Sequence, residues 1–268
     1  MPQNVSNADL RSIAEWWAAM GVPVDTAEIR RIAEAAAPAT APLPTTSATS
    51  APPKRRGPSN AIEDRVADAH RLAASADTIA ALKAAIESYE GCPLKSLCDK
   101  TVVSDGVEKA PVMVIGEGPG GQEDRLGLPF VGKAGQLLDK MLAAISLDRK
   151  QNTFITNVNY WRPPGNRNPD SDELAVCRPF VDRMIDIGAP KLILVMGGVA
   201  AKTLLNTQTG IMRLRGAEQV YETPAGTSVP LIPLFHPAYL LRRPQDKAKA
   251  WHDLLLAKSR LNEMGVKL

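Results

Sequence analysis

The sequence predicts a three-layer α/β/α sandwich built on a central, mostly parallel four-stranded sheet, and three observations point to it. Four short apolar runs, at 111–116, 153–158, 191–196 and 230–235, have the length and composition of buried strands. Segments 134–146, 172–188 and 198–206 between them carry helical periodicity, and 244–263 closes the chain as a last helix. Alternating strands and helices require crossover connections, which make neighbouring strands parallel and cover the sheet on both faces.

In chain order, residues 1–34 form a short N-terminal helical segment. Within it "ADLRSIAEWWAAM" (8–20) places Leu10, Ile13, Trp17 and Met20 at helical spacing. Residues 35–60, "AAAPATAPLPTTSATSAPPKRRGPSN", are rich in Pro, Ala, Ser and Thr and lack a periodic apolar face. Such a stretch buries too little surface to offset its chain entropy and is expected to be a disordered linker. Its Lys54-Arg55-Arg56 cluster reads as solvated linker charge, with phosphate contact as the alternative. From 61 the chain is helical and Ala-rich to about 87, and 61–268 is expected to be one catalytic domain.

Composition bounds the class. The chain has 268 residues, 44% of them hydrophobic, enough for one substantial core with extensions. It shows no run of about 18 apolar residues and no basic-then-apolar leader, so a cytoplasmic protein without membrane association is expected. Three widely spaced cysteines, Cys92, Cys98 and Cys177, form neither a disulfide framework nor a C-x-x-C pair and suit a reducing compartment. The net charge of +3 is a mild basic excess, compatible with a nucleic-acid partner but too small to specify one.

In parallel α/β sheets ligands bind beyond the carboxyl ends of the strands. The four strands are followed by GEGPGGQED, by Asn157 with NYWRPPGNR, by Gly197-Gly198 and by His236-Pro237, so polar residues and glycines gather on one rim. Gly116, Gly118 and Gly121 satisfy G-x-G-x-x-G. A dinucleotide turn, however, must open directly into a helix and be followed by an acidic residue at the next strand's end. Here Gly127, Pro129 and Gly132 are expected to interrupt any helix until about Ala134, and the next strand ends in Asn157. No G-K-[ST] follows either, so no nucleotide cofactor is expected.

Taken together, "GEGPGGQEDRLGLPFVGKAGQLLD" (116–139), "NVNYWRPPGNRNP" (157–169), "ILVMGGVAAKTLL" (193–205) and "HPAYLLRRPQDKAKAWHDL" (236–254) resemble the family 4 uracil-DNA glycosylases. The resemblance covers roughly 85–260, in the family's order. It implies hydrolysis of the N-glycosidic bond of deoxyuridine in DNA, releasing uracil and leaving an abasic site as the first step of base excision repair. The partner would be uracil-containing DNA, bound by a monomer, with the nucleotide flipped into a pocket that reads its Watson–Crick edge.

Phe130 alone would read as a core aromatic; the resemblance makes it the surface on which uracil stacks. Asn157 can accept from uracil N3–H and donate to O4, where cytosine offers the opposite pattern. A loop-capping Asn is an equal reading of the residue alone, and the resemblance makes Asn157 the uracil reader. His236 stands where a neutral imidazole can donate to uracil O2 as negative charge develops there. The resemblance further implies that Glu117, Gly118 and Pro119 line the pocket, partly through backbone groups, and that Glu123 fixes water or walls off the C5 side. Asn166 would position water or support the residues that do. A salt bridge with Arg125 or Arg167 is the alternative for either glutamate. Gly118 stands where other uracil-DNA glycosylases carry a water-orienting Asp, so that general base is absent.

DNA contacts are expected from an apolar wedge at Tyr239, Leu240 and Leu241 beside Arg242 and Arg243, from Arg213 and Arg215, and from the backbone N–H groups of Gly197 and Gly198. The sequence departs from the family at its iron–sulfur cluster, which four cysteines hold. Cys92 and Cys177 match two ligand positions, Tyr89 and Trp161 stand at the other two, and Cys98 is at none. No cluster and no other metal or cofactor is therefore expected, with Tyr89 and Trp161 filling the space by packing. Because "WRPPGNR" is retained, covalent trapping of the abasic sugar is not expected. A catalytically weak DNA-binding or scaffold homologue is the competing reading, and the retention of Glu117, Glu123, Phe130, Asn157 and His236 favours the enzyme.

Overall fold

A computed structural model describes residues 60–267. The N-terminal helix and the 35–60 linker therefore lie outside the described residues, apart from Asn60 itself. Two helices open the described chain, α1 (Asn60–Ala74) and α2 (Ile79–Ser88), where the Ala-rich pattern had suggested one. They separate at 75–78 because Thr78 caps α2, its Oγ1 accepting from Ala81 N at 3.1 Å.

The sheet has six strands in the order β1-β3-β2-β4-β6-β5. Four of them are the runs read from the sequence: β2 (Val112–Gly116), β3 (Thr153–Asn157), β4 (Leu192–Met196) and β6 (Ser228–Leu234). All pairings among these four are parallel. The expected four-stranded sheet is thus extended by β1 (Ser104–Gly106) and β5 (Gln219–Glu222), which add antiparallel to its two edges. Neither "SDG" nor "QVYE" is long or apolar enough to show a strand period; the edge positions, not the residues, make them strands.

Side chains alternate across the parallel strands and build two cores. Met113, Ile115, Ile193, Val195 and Leu231 face α1, α2 and α5 (Ser171–Gly188). Val112, Val114, Leu192, Leu194 and Ile232 face α4 (Lys133–Ala143) and α9 (Lys247–Glu263). A strand buried on both faces reads as a near-continuous apolar run, which is why these four were legible even though β3 carries buried Thr153 and Thr156. α5 begins at a capping box: Asp170 Oδ1 accepts from Asp172 N and Glu173 N at 3.0 and 2.9 Å, and Glu173 Oε2 accepts from Asp170 N at 2.8 Å.

Four short helices lie at the rim. α6 (Gly198–Leu205) and α8 (Pro237–Arg242) follow β4 and β6, with α7 (Ile211–Leu214) between them in sequence. The remaining one, α3 (Gly121–Leu126), corrects the expectation that no helix forms before Ala134. It is under two turns long and ends at Gly127, which takes φ 79° and donates its N–H to Glu123 O at 2.7 Å. The glycines and proline after it therefore terminate the helix without preventing it.

Candidate active site

The rim residues surround one cavity of about 630 Å³, lined by Glu117, Gly118, Pro119, Phe130 and His236 among others. Its base-sized end is assembled from the ends of β2, β3 and β6. Gly116, the last residue of β2, has Phe130 and Asn157 so close that a Cβ there would lie 2.4 Å from Phe130 Cζ and 2.5 Å from Asn157 Oδ1. Any larger residue would displace both.

Asn157 is buried, and its Oδ1 has no hydrogen-bond partner. A buried acceptor left unpaired costs about 1–3 kcal/mol unless a ligand satisfies it. It lacks a hydrogen-bond donor, and the ring of Phe130 lies beside it. The Phe130 ring in turn stacks on the His236 imidazole, with centroids 5.6 Å apart at 29°.

The tautomer of His236 follows from its neighbours. As N-cap of α8 it accepts from Ala238 N through Nδ1 at 3.1 Å, so Nε2 carries the proton. Burial, aided by Arg242, pushes its pKa down to about 4. A neutral imidazole donating through Nε2 is the result.

The two glutamates take different roles. Glu117 is half-buried, and burial alone pushes its carboxyl up. Glu123, by contrast, is turned onto the backbone: its Oε1 accepts from Val131 N at 3.0 Å and Gly132 N at 2.8 Å. Neither forms a salt bridge with Arg125 or Arg167, because Arg125 donates to Gly121 O and Arg167 grips Glu173 at 2.6 Å. Asn166 lines the cavity in a left-handed backbone conformation, φ 55°, with its Oδ1 accepting from Arg162 Nε at 2.8 Å.

Of the expected DNA contacts, Gly197, Gly198, Tyr239 and Arg242 line the cavity, and Arg213 and Arg243 are exposed outside it. Three expectations are corrected. Leu240 is fully buried in the core against Trp251 and its neighbours, so it cannot act as a wedge; Leu241, 45% exposed, is the apolar tip of α8. Arg215 is turned inward, Nη2 at 2.6 Å and Nε at 2.8 Å from the Asp253 carboxylate, with its guanidinium over the Phe235 ring. Tyr239 also packs inward, stacked on Phe235 and donating to Asp246 Oδ2 at 2.6 Å. Among the cavity residues that the sequence reading did not single out is a cation, Lys202, exposed on α6. The signal for it was its spacing of four from Gly198, which places both on one helix face.

A model of the uracil-DNA glycosylase superfamily matches residues 103–255, more than half of the chain and all of the strand ends that build this cavity. The chain belongs to the uracil-DNA glycosylase superfamily. Within it, the chain is 38% identical over 173 residues to the type-4 uracil-DNA glycosylase of Sulfurisphaera tokodaii, covering 63% of this chain and 78% of that one. The corresponding enzyme of Archaeoglobus fulgidus is 40% identical over 165 residues, 60% and 81% of the two chains. That of Thermotoga maritima is 34% identical over 183 residues, 67% and 93%.

The chain is a type-4-like uracil-DNA glycosylase, and its cysteines lie as follows. Cys92 and Cys177 are both buried, and Cys177 Sγ donates to Asn159 Oδ1 at 3.7 Å. Where two further thiolates would complete a ligand set stand buried rings. Tyr89 lies 5.3 Å from Phe180 and 6.3 Å from Trp161 between ring centroids. Its hydroxyl donates to Arg65 O at 2.7 Å, and Trp161 Nε1 donates to Thr101 Oγ1 at 3.0 Å. Cys98 is apart, donating to Lys95 O. Among the described residues no group of three or more His, Cys, Asp or Glu is arranged to hold a metal ion, so the side chains present do not fit a four-thiolate cluster.

Proposed function

We propose that the chain is a monofunctional uracil-DNA glycosylase, hydrolysing the N-glycosidic bond of deoxyuridine to give free uracil and an abasic site. The observation that carries this reading is Asn157 Oδ1, buried without a partner at the end of β3 beside Phe130. Uracil N3–H supplies the missing donor. Cytosine, with an acceptor at N3, would leave two acceptors facing each other, and a desolvated site rejects that strongly.

As the C1′–N1 bond breaks, its electron pair moves into the uracil ring and charge builds on O2, where His236 Nε2–H donates. Such a donor stabilises an anion most effectively when fixed beforehand, and the bond from Ala238 N fixes this one. Water adds to C1′ from the opposite side of the sugar. Glu123 Oε1 is occupied by backbone amides and Gly118 offers no carboxylate; Glu117 orients that water and receives its proton, with Glu123 at the same cavity wall. Asn166, held by Arg162, supports the water from the cavity wall. Pro119 and the backbone of Gly118 close the edge of the base site.

DNA is held by Arg242 and Lys202 at the cavity mouth, by the amides of Gly197 and Gly198, and by Arg213 and Arg243 outside it, with Leu241 filling the gap that the flipped base leaves. The reading includes a monomer acting in the cytoplasm without a cofactor. No helix among the described residues is long and apolar enough to cross a membrane. The aromatic packing of Tyr89, Trp161 and Phe180 around Cys92 and Cys177 supports function without an iron–sulfur cluster; a brown purified protein containing iron would overturn that part.

The test is a duplex carrying a single U·G pair, incubated with protein and then treated with alkali. Strand scission that is lost in Asn157→Ala and in His236→Ala is expected. No scission at high protein concentration, with DNA still bound, would leave a DNA-binding homologue instead.

A further inference from the structure

We propose that Arg149 is a positioning residue for uracil recognition, acting on the stacking face through the backbone of Phe130. The proposal rests on the uracil-DNA glycosylase reading above and adds to it a residue far from the cavity in sequence and outside its lining.

Phe130 has φ 54°, a left-handed conformation that a bulky L-residue adopts only when its surroundings impose it. The structure shows what imposes it. Arg149 Nη2 donates to Phe130 O at 2.9 Å, and Nη1 reaches Pro129 O at 3.4 Å. The N–H at the other end of the same peptide unit, that of Val131, donates to Glu123 Oε1 at 3.0 Å. One peptide plane is therefore held by a guanidinium on its oxygen and a carboxylate on its nitrogen. Gly135 leaves room for this arrangement, since a Cβ there would lie 1.8 Å from Phe130 O.

Arg149 is itself fixed. Its Nε donates to Asp139 Oδ1 at 2.8 Å and its Nη1 to Asp105 Oδ2 at 2.8 Å, and only 14% of its side chain is exposed. Asp139 lies on α4 and Asp105 on β1, so the guanidinium ties an edge strand and a helix to the loop that carries the ring. The planar fork explains the residue type: three nitrogens are used toward four acceptors at fixed angles, which an ammonium cannot reproduce. Phe130 is anchored from outside the cavity because its ring must stay free on the side where the base enters.

Without Arg149 the left-handed backbone at Phe130 relaxes, and the ring turns away from Gly116 and His236. A displacement of about 1 Å at a reacting centre costs on the order of a hundredfold. Uracil release from single-stranded uracil DNA is measured for wild type, Arg149→Met, Arg149→Lys, Phe130→Leu and the double variant Arg149→Met/Phe130→Leu, together with inhibition by free uracil. Arg149→Met is expected to lower kcat about 10- to 100-fold and to weaken inhibition by free uracil in parallel, with KM for DNA little changed. Arg149→Lys is expected to recover part of the loss. The double variant is expected to be no worse than Phe130→Leu alone, because the two residues act as one unit.

Multiplying effects in the double variant, or wild-type kcat and uracil inhibition in folded Arg149→Met, would overturn the proposal. If Arg149→Met does not fold, Asp139→Asn loosens the same guanidinium from an exposed position. It is expected to give the same pattern in weaker form, and an unaltered uracil affinity there would sink the idea equally. Wild-type protein that neither releases nor binds uracil refutes the function itself, an outcome distinct from an active wild type whose Arg149 variants are indifferent.

Discussion

His236 and Glu117 sit in the same cavity and are shifted by burial in opposite directions along the pH axis, both toward their neutral forms. The imidazole, held near 4, stays a neutral donor throughout the neutral range, so no inflection from His236 is expected between pH 6 and 8. Activity is expected to fall on the acid side at a pH above the ordinary 4.5 of a glutamate as Glu117 takes up a proton. A pH–rate profile of Glu117→Gln checks this: overall activity should drop and that acid limb should flatten. Stability follows the sign of the His236 shift. Its folded pKa lies below its unfolded one, so its contribution is complete above about pH 6.5 and is lost as pH falls towards about 4. Urea unfolding of His236→Asn should therefore show less acid destabilisation over that window than wild type. In the assay, His236→Ala is expected to lose about 10²–10³ in kcat, the usual consequence of removing a preorganised anion donor. The residue types were legible in the sequence because Glu117, Asn157 and His236 each follow an apolar run. The use of Glu123 was not, because two amides eight and nine positions away decide it.

The elements show the same division. β2, β3, β4 and β6 were readable as apolar runs because both faces of each are buried, whereas β1 and β5 owe their existence to a neighbour's free edge. Helix α8 is the clearest case of a face that sequence left undecided. "AYLLRR" offers two adjacent leucines, and only the packing of α8 on the core sends Leu240 inward and Leu241 out. Two substitutions probe the elements that carry the site. Gly116→Ala at the end of β2 places a methyl against Phe130 and Asn157, so uracil release should fall sharply even where the protein still folds cooperatively. Asp170→Ala removes the cap of α5 and is expected to cost about 1 kcal/mol in thermal or urea unfolding, with activity at low temperature largely kept.

For the whole molecule, a net charge of only +3 is too small to draw in DNA by bulk charge, so the proposed DNA binding is expected to depend on cations placed around one opening. Lys202→Ala and Arg242→Ala are each expected to weaken DNA binding without regard to sequence and to reduce the slope of log K against log salt by about 1. Arg215→Ala should behave otherwise. It strands the buried Asp253 carboxylate, so it is expected to cost about 3–5 kcal/mol of stability and leave the salt slope unchanged. Local sequence was enough for the layered α/β architecture, for the rim beyond the strand ends, and for Asn157 and His236 at that rim, while the role of Phe130 came only with the family resemblance. It could do so because burial on both faces of a strand and chemistry at a strand's end are local in sequence. Folding in three dimensions settled which arginines are exposed or line the cavity and which face Asp253 or the Phe130 backbone, and which of two adjacent leucines is core. Those choices depend on partners brought close from distant parts of the chain, as Arg149 is to Asp105 and Phe130, and no local pattern records them.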